Sequence, residues 1–240
     1  DDAVLNATES VNFEATVNDN EDEPNEITLS WESDIDGVFS SVGPDEDGTV
    51  TGSTDALTVG NHTITVTATD THGLTATDSV SFNLNQPPTA PTVIIEPETP
   101  TTIQDLVVTA SGAEDPEGTG TIIYSYEWFE SDESVSDASF STFPAASTRK
   151  HRTYRVQVTA SDGDFEGPSG SAEVTIINSA PVLDGPLLST DTVSVGDVLT
   201  CSATASDVDP EDDPTVTLMW SDGSVAPTYT IDEDDPVGST

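Results

Sequence analysis

Carboxylates are the side chains of this sequence most able to do chemistry, and their natural chemistry is the ligation of hard cations. The stretch SDVDPEDDP crowds Asp207, Asp209, Glu211, Asp212 and Asp213 together. Asp115 and Glu117 form a similar pair in AEDPEG, Asp162 and Asp164 another in SDGDF, and Asp19, Asp22 and Asp70 stand nearer the N-terminus. Calcium takes six to eight oxygens at about 2.3 to 2.6 Å, which carboxylates and amide carbonyls from several loops can supply. An EF-hand loop counted from Asp207 fails, because Asp212 stands where glycine is needed, Pro210 sits inside it and Leu218 replaces the closing glutamate. A single cysteine, Cys201, excludes a cysteine-rich zinc site and an internal disulfide framework. No GxSxG elbow supports a serine nucleophile, and no Trp, Tyr and Arg cluster suggests a cleft for a glycosidase carboxylate pair. No enzyme is expected.

The 240 residues hold 46 Asp plus Glu against 4 Lys plus Arg, a formal charge of −42. Such a field repels nucleic-acid phosphates and anionic membrane surfaces, so neither is an expected partner. No apolar run of about 18 residues is present, so nothing in this segment is expected to insert into a membrane. Only 33% of residues are hydrophobic and 6% aromatic, a balance that by itself borders on disorder.

Pattern removes that ambiguity. VNFEATVND (11–19), HTITVTATD (62–70), YRVQVTASD (154–162) and VLTCSATASD (198–207) alternate apolar with polar residues and are rich in Val, Ile and Thr. That is the period of half-buried strands. Landmarks recur at intervals of about 93 residues, a repeat signature: Trp31, Trp128 and Trp220; Asp70 and Asp162; Asn85 and Asn178. The interval suits a seven-stranded immunoglobulin-like sandwich of about 100 residues, each tryptophan taking the core position of strand C. The expected architecture is all-β: tandem immunoglobulin-like β-sandwich domains forming a beaded rod, with Pro-rich junctions NLNQPPTAP and IINSAPVL as short, semi-rigid connections. Domains are expected at 1–86 (N-terminally truncated), 87–179 and 180–240 (C-terminally truncated or completed in trans by a donated strand).

GNHTITVTATDTHGLTATDSVSF (60–82) and NSAPVLDGPLLSTDTVSVGDVLTCSATASDVDPED (178–212) resemble the cadherin-like, PKD-like and HYR-like sandwich repeats of large prokaryotic surface proteins. The resemblance implies a cell-surface stalk or spacer module, often stiffened by calcium, and no reaction. SDVDPE is similar to the acidic pair that follows strand B in cadherin-like repeats, which bind calcium at their junctions.

In a sandwich of this order the B–C loop, the F–G loop and the incoming linker share one pole. Asp115, Glu117, Asp162 and Asp164 then meet at the pole of the second domain, with Asn85 arriving from the linker, and Asp207, Asp209, Glu211 and Asp212 at that of the third, with Asn178 arriving likewise. These are the candidate ligands for Ca²⁺. The cations gather in STRKHRTYR, where Arg149, Lys150 and Arg152 should face the third domain's acids as interdomain contacts, while Arg155 enters strand F. His62 and Tyr154 occupy matching places at the start of strand F, the position of a tyrosine corner, and are expected to be structural. Cys201 is expected inside strand B as a small core residue. NAT at Asn6 and NHT at Asn61 match the glycosylation sequon, with Asn6 the favoured site. The expected function is a non-enzymatic extracellular structural segment of a stalk, adhesin or fibre, whose partners are neighbouring domains of the same array or identical subunits. Two alternatives remain: a filament subunit using strand donation, and a carbohydrate- or protein-binding module with Tyr124, Phe129 and Phe143 as its aromatic candidates.

Overall fold

The computed structural model describes residues 3–118, 120–135 and 139–235. The chain is all-β, with strands β1 to β17 in three successive groups. The first group comprises β1 (Ala3–Asn6), β2 (Val11–Thr16), β3 (Thr28–Ser33), β4 (Gly37–Ser40), β5 (Thr49–Thr54), β6 (Gly60–Thr69) and β7 (Thr75–Asn85). The second comprises β8 (Thr92–Glu96), β9 (Leu106–Ser111), β10 (Ile123–Glu130), β11 (Glu133–Ser134), β12 (Thr142–Phe143), β13 (Thr153–Ser161) and β14 (Gly170–Thr175). The third comprises β15 (Val182–Leu188), β16 (Val198–Ser206) and β17 (Thr228–Thr230).

Alternation decides which side of each strand is buried. In β13 Tyr154, Val156, Val158 and Ala160 are all 0% exposed, while the intervening residues face outward. β13 pairs antiparallel with β10 and β14 in the sheet β11-β10-β13-β14, which packs on the sheet β12-β9-β8. Trp128 fills the space between them against Phe143, centroids 5.0 Å apart, and its Nε1 donates to the Phe140 carbonyl at 3.0 Å. Burying one such aromatic contributes about 4 to 6 kcal/mol of transfer free energy, offsetting the lack of a disulfide. Phe143, one of the three aromatic candidates for a binding platform, is 2% exposed and belongs to this core. Tyr124 packs on the core as well, and Phe129 lies under the Arg155 guanidinium at 4.0 Å.

The first group repeats the plan with one difference. Its larger sheet runs β1-β7-β6-β3-β4, with β1 parallel to β7, and its smaller sheet is β2-β5 alone. Trp31, 4% exposed, packs against Phe13 with centroids 4.5 Å apart, and Phe13 lies over Gly52 on β5 so closely that a β-carbon there would meet its ring. The β6–β7 hairpin closes through Gly73 at φ +86°, a left-handed conformation that glycine adopts without a side-chain clash.

Both F-strand residues are structural. Tyr154 donates its hydroxyl to the Ser147 carbonyl at 3.3 Å and accepts the Arg149 N–H at 3.1 Å, forming the corner that the sequence predicts. His62, 1% exposed, has Nε2 2.5 Å from the Thr58 carbonyl, to which it donates, and Nδ1 then accepts the Ser33 hydroxyl at 2.8 Å.

The third group departs from the repeat. β15, β16 and β17 form one sheet, and among the described residues no opposing sheet covers it. Trp220, expected in a core strand C, lies outside any strand, half-buried on Tyr229 at 5.2 Å, with Nε1 donating to the Ala226 carbonyl at 2.9 Å. Cys201 keeps the inward parity of Leu199 but is half-buried instead of enclosed, for the same reason.

Candidate functional site

Acidic loops meet the incoming chain at the start of the second and third groups. At the first of these junctions β7 delivers Asn85, 6% exposed, and the backbone runs on through Gln86. Asp162 at the end of β13 accepts the Asn85 side-chain N–H on Oδ2 at 2.9 Å, and on Oδ1 the backbone N–H groups of Asp164 and Phe165, each at 2.9 Å. From the β9–β10 loop, Glu117 accepts the Gln86 N–H on Oε1 at 2.8 Å. Its other oxygen, Oε2, is buried with no hydrogen-bond partner. Asp115 shapes the same loop, accepting N–H groups from Glu117 at 2.9 Å, Gly120 at 3.0 Å and Gly118 at 3.3 Å.

These environments separate the carboxyls. Burial pushes Glu117 above its ordinary value, and the adjoining Asp115 adds to the rise against the Gln86 N–H. Burial also acts on Asp115, but hydrogen bonds from Glu117 and the loop N–H groups outweigh it and hold that carboxyl low. Asp162 is held low in the same way: burial opposes ionisation, and the N–H groups of Phe165, Asn85 and Asp164 overcome it. The junction thus gathers negative charge next to one buried oxygen that accepts no N–H. The expected ligands Asp115, Glu117, Asp162 and Asp164 nevertheless do not converge: no three of them offer oxygens within 4.8 Å of one another, because Asp115 and Asp162 spend theirs on the N–H groups of their own turns and of Asn85.

At the second junction Asp209 is 3% exposed and accepts the Ser179 N–H at 3.0 Å, while Asp207 accepts the Asp209 N–H at 2.8 Å. Asp207, Asp209 and Asp212 each offer an oxygen within 4.8 Å of the others. Lys150 reaches across to pair with Asp212. That bond is the first cause of its raised pKa, with Asp209 and Glu211 adding to it. A buried Thr102–Ser179 hydroxyl contact at 2.7 Å closes the junction from the other side.

Other expected residues lie elsewhere. Asn178 is exposed and turns its amide onto the Ser179 carbonyl at 2.7 Å, away from the acids. Asp164 and Glu211 are exposed, and the structure brings neither carboxylate into a cluster. Arg149 is exposed, and Arg152 pairs at 3.7 Å with Glu130 of its own group, so Lys150 is the predicted interdomain cation that crosses. Asn6 is half-buried, its Oδ1 accepting the Thr8 N–H at 2.9 Å and hydroxyl at 2.8 Å, whereas Asn61 is exposed.

Asp212, Asn85, Asp22 and Asp70 belong to the groups that the sequence singles out, and His72 is the contributor it passed over. Asp212 rather than Glu211 completes the third cluster. The buried amide of Asn85 clasps Asp162. At the matching pole of the first group Asp22, Asp70 and His72 converge, with Asp22 accepting the Thr71 N–H at 3.0 Å. The Asp-x-His spacing of Asp70 and His72 was the available signal, and its partner Asp22 lies far away in sequence.

No known family model matches this chain, and no curated protein does. Solved structures similar to it include the fibronectin(III)-like modules of Clostridium thermocellum CbhA, at 17% identity over 74% of this chain and 90% of that one, TM-score 0.36. Another is the Ca²⁺-stabilised adhesin with which an Antarctic bacterium binds ice, at 18% identity over 96% of this chain and 61% of that one, TM-score 0.41. The ICAM-5 D1–D4 ectodomain fragment is similar at 15% identity over 95% of this chain and 72% of that one, TM-score 0.45. The chain's own strands set its all-β architecture: two successive groups of paired sheets followed by a three-stranded sheet.

Proposed function

We propose that this chain is a non-enzymatic segment of an extracellular stalk, adhesin or fibre at a prokaryotic cell surface. In this reading its three units, 1–86, 87–179 and 180–240, are held at defined angles by acidic junctions that take calcium. The observation that carries the reading is the convergence of Asp207, Asp209 and Asp212 at the second junction, one oxygen of each within 4.8 Å of the others. At the first junction the buried Oε2 of Glu117 accepts no N–H, next to Asp115 where the linker enters. Leaving a buried carboxylate oxygen unpaired costs about 1 to 3 kcal/mol or more, and a bound cation removes that cost. Asp207, Asp209 and Asp212 would hold the ion at the second junction, and at the first Glu117 and Asp115 would, while Asp162 stays engaged by Asn85 and its own turn. Calcium would supply charge neutralisation and cross-linking of loop to linker. The chain's own residues already clasp both linkers, through Asp162 to Asn85 and Asp209 to Ser179.

The test is thermal unfolding in EDTA, in Ca²⁺ and in NaCl of matched ionic strength. Binding to the folded state raises the melting temperature by mass action, so a calcium-specific rise is the expected result, reduced by Asp207→Ala with Asp209→Ala and abolished when Asp115→Ala and Glu117→Ala are added. An equal rise with NaCl would reduce the junctions to screened surface charge and overturn the reading.

A further inference from the structure

We propose that the groove beside β2 is an acceptor for an extended strand of a partner polypeptide, apolar at alternate positions and basic at its flanks. The second group displays the occupied form of the same place. There β8 pairs antiparallel with β9, Ile95 is buried at 6% exposure and Val93 packs on the core. In the first group β2, the counterpart of β9, pairs with β5 on one side, and among the described residues no strand covers its other edge. β1 lies instead along β7, in parallel.

Where a β8-like strand would insert, the first group has a cavity of about 270 Å³ walled by Leu5, Val11, Phe13, Trp31, Ile64 and Phe82. That exceeds the void of about 150 Å³ that holds benzene and falls short of the roughly 300 to 1,000 Å³ of drug-sized sites. The volume fits a few aliphatic side chains. Its wall includes Trp31, whose Nε1 is buried without an acceptor, whereas Trp128 and Trp220 both have one. An added strand brings backbone carbonyls and N–H groups for the free edge, and inward side chains for the cavity. Charge selects the partner's flanks. Glu14 borders the groove and the whole chain carries −42, so basic flanks are attracted and a second acidic copy is repelled at low salt.

The probe is a fluorescently labelled peptide with the sequence of residues 91–97, PTVIIEP, and lysines added at both ends, titrated against the 240-residue chain by anisotropy. Saturable binding is expected, together with loss of binding when the peptide's valine and isoleucines are replaced by serine. Val80→Asp places a charge at the rim on a residue that is already 60% exposed, and Ala3→Trp plugs the mouth. Each should weaken binding about tenfold or more while leaving the melting temperature intact. Three results would overturn the proposal: no saturable binding by a folded chain, binding indifferent to both substitutions, or self-association in sedimentation that the peptide cannot displace. The last would give the groove to a second copy. Uptake of a small uncharged apolar dye without peptide binding would give it to a small molecule, and equally sink the strand.

Discussion

Replacing Asp162 with alanine tests the clasp that joins the first two units. The substitution removes the acceptor of the Asn85 amide, and Asn85 is 6% exposed, so its N–H cannot turn to water without opening the junction. A buried donor left unpaired costs about 1 to 3 kcal/mol. At about 2 kcal/mol, and about 4 to 8 °C per kcal/mol for a unit of about 90 residues, the melting temperature of the second unit should fall by about 8 to 16 °C. Asparagine is a poor rescue. All three partners of Asp162 are donors, and an amide offers only one acceptor oxygen, so Asp162→Asn keeps either the Asn85 clasp or the turn bonds to Asp164 and Phe165. Differential scanning calorimetry in EDTA, completed as a double-mutant cycle with Asn85→Ala, separates the pair from the turn. Additive effects within about 0.3 kcal/mol, or a shift of Asp162→Ala below about 1 °C, would refute the clasp.

The same junction should respond to pH with two opposite signs. Asp162 titrates below its ordinary 3.8, so its contribution is complete above that value and lost as pH falls through the lowered one. Glu117 titrates above its ordinary 4.5, so its contribution is complete below 4.5 and lost as pH rises through the raised value. Melting curves in EDTA should show the junction's contribution greatest between 3.8 and 4.5, with Glu117→Gln flattening the upper limb. Gly52→Ala should cost about 1 to 3 kcal/mol by overpacking, because the Phe13 ring it meets is hemmed in by Trp31 and Phe39, and urea unfolding measures it. Lys150→Ala should lower the melting temperature only slightly, since Asp212 keeps 32% of its side chain exposed, and its effect should fade in high salt.

The all-β sandwich was legible in the sequence because strand burial has a period of two, and Val, Thr and Tyr along 153–161 declare which side faces in. The spacing of Trp31 and Trp128 likewise located the plug of each complete core. It misplaced Trp220, because a core position exists only when an opposing sheet is present to enclose it. The acidic poles were legible for a related reason: strand direction alone sends the β9–β10 and β13–β14 loops to the end where the linker arrives.

Composition and order along the chain thus determined the architecture and the neighbourhood of the acids. Tertiary structure alone decided which carboxylates within each run act. Asp162, Glu117, Asp209 and Asp212 turn toward the linker or a cation, while Asp164 and Glu211, a residue or two away, face water. The same holds for Lys150 against Arg149 and Arg152, and for the uncovered edge of β2. Neighbours in a loop share a charge and a position in sequence, but a hydrogen bond depends on direction to within tens of degrees, and only the folded backbone sets that direction.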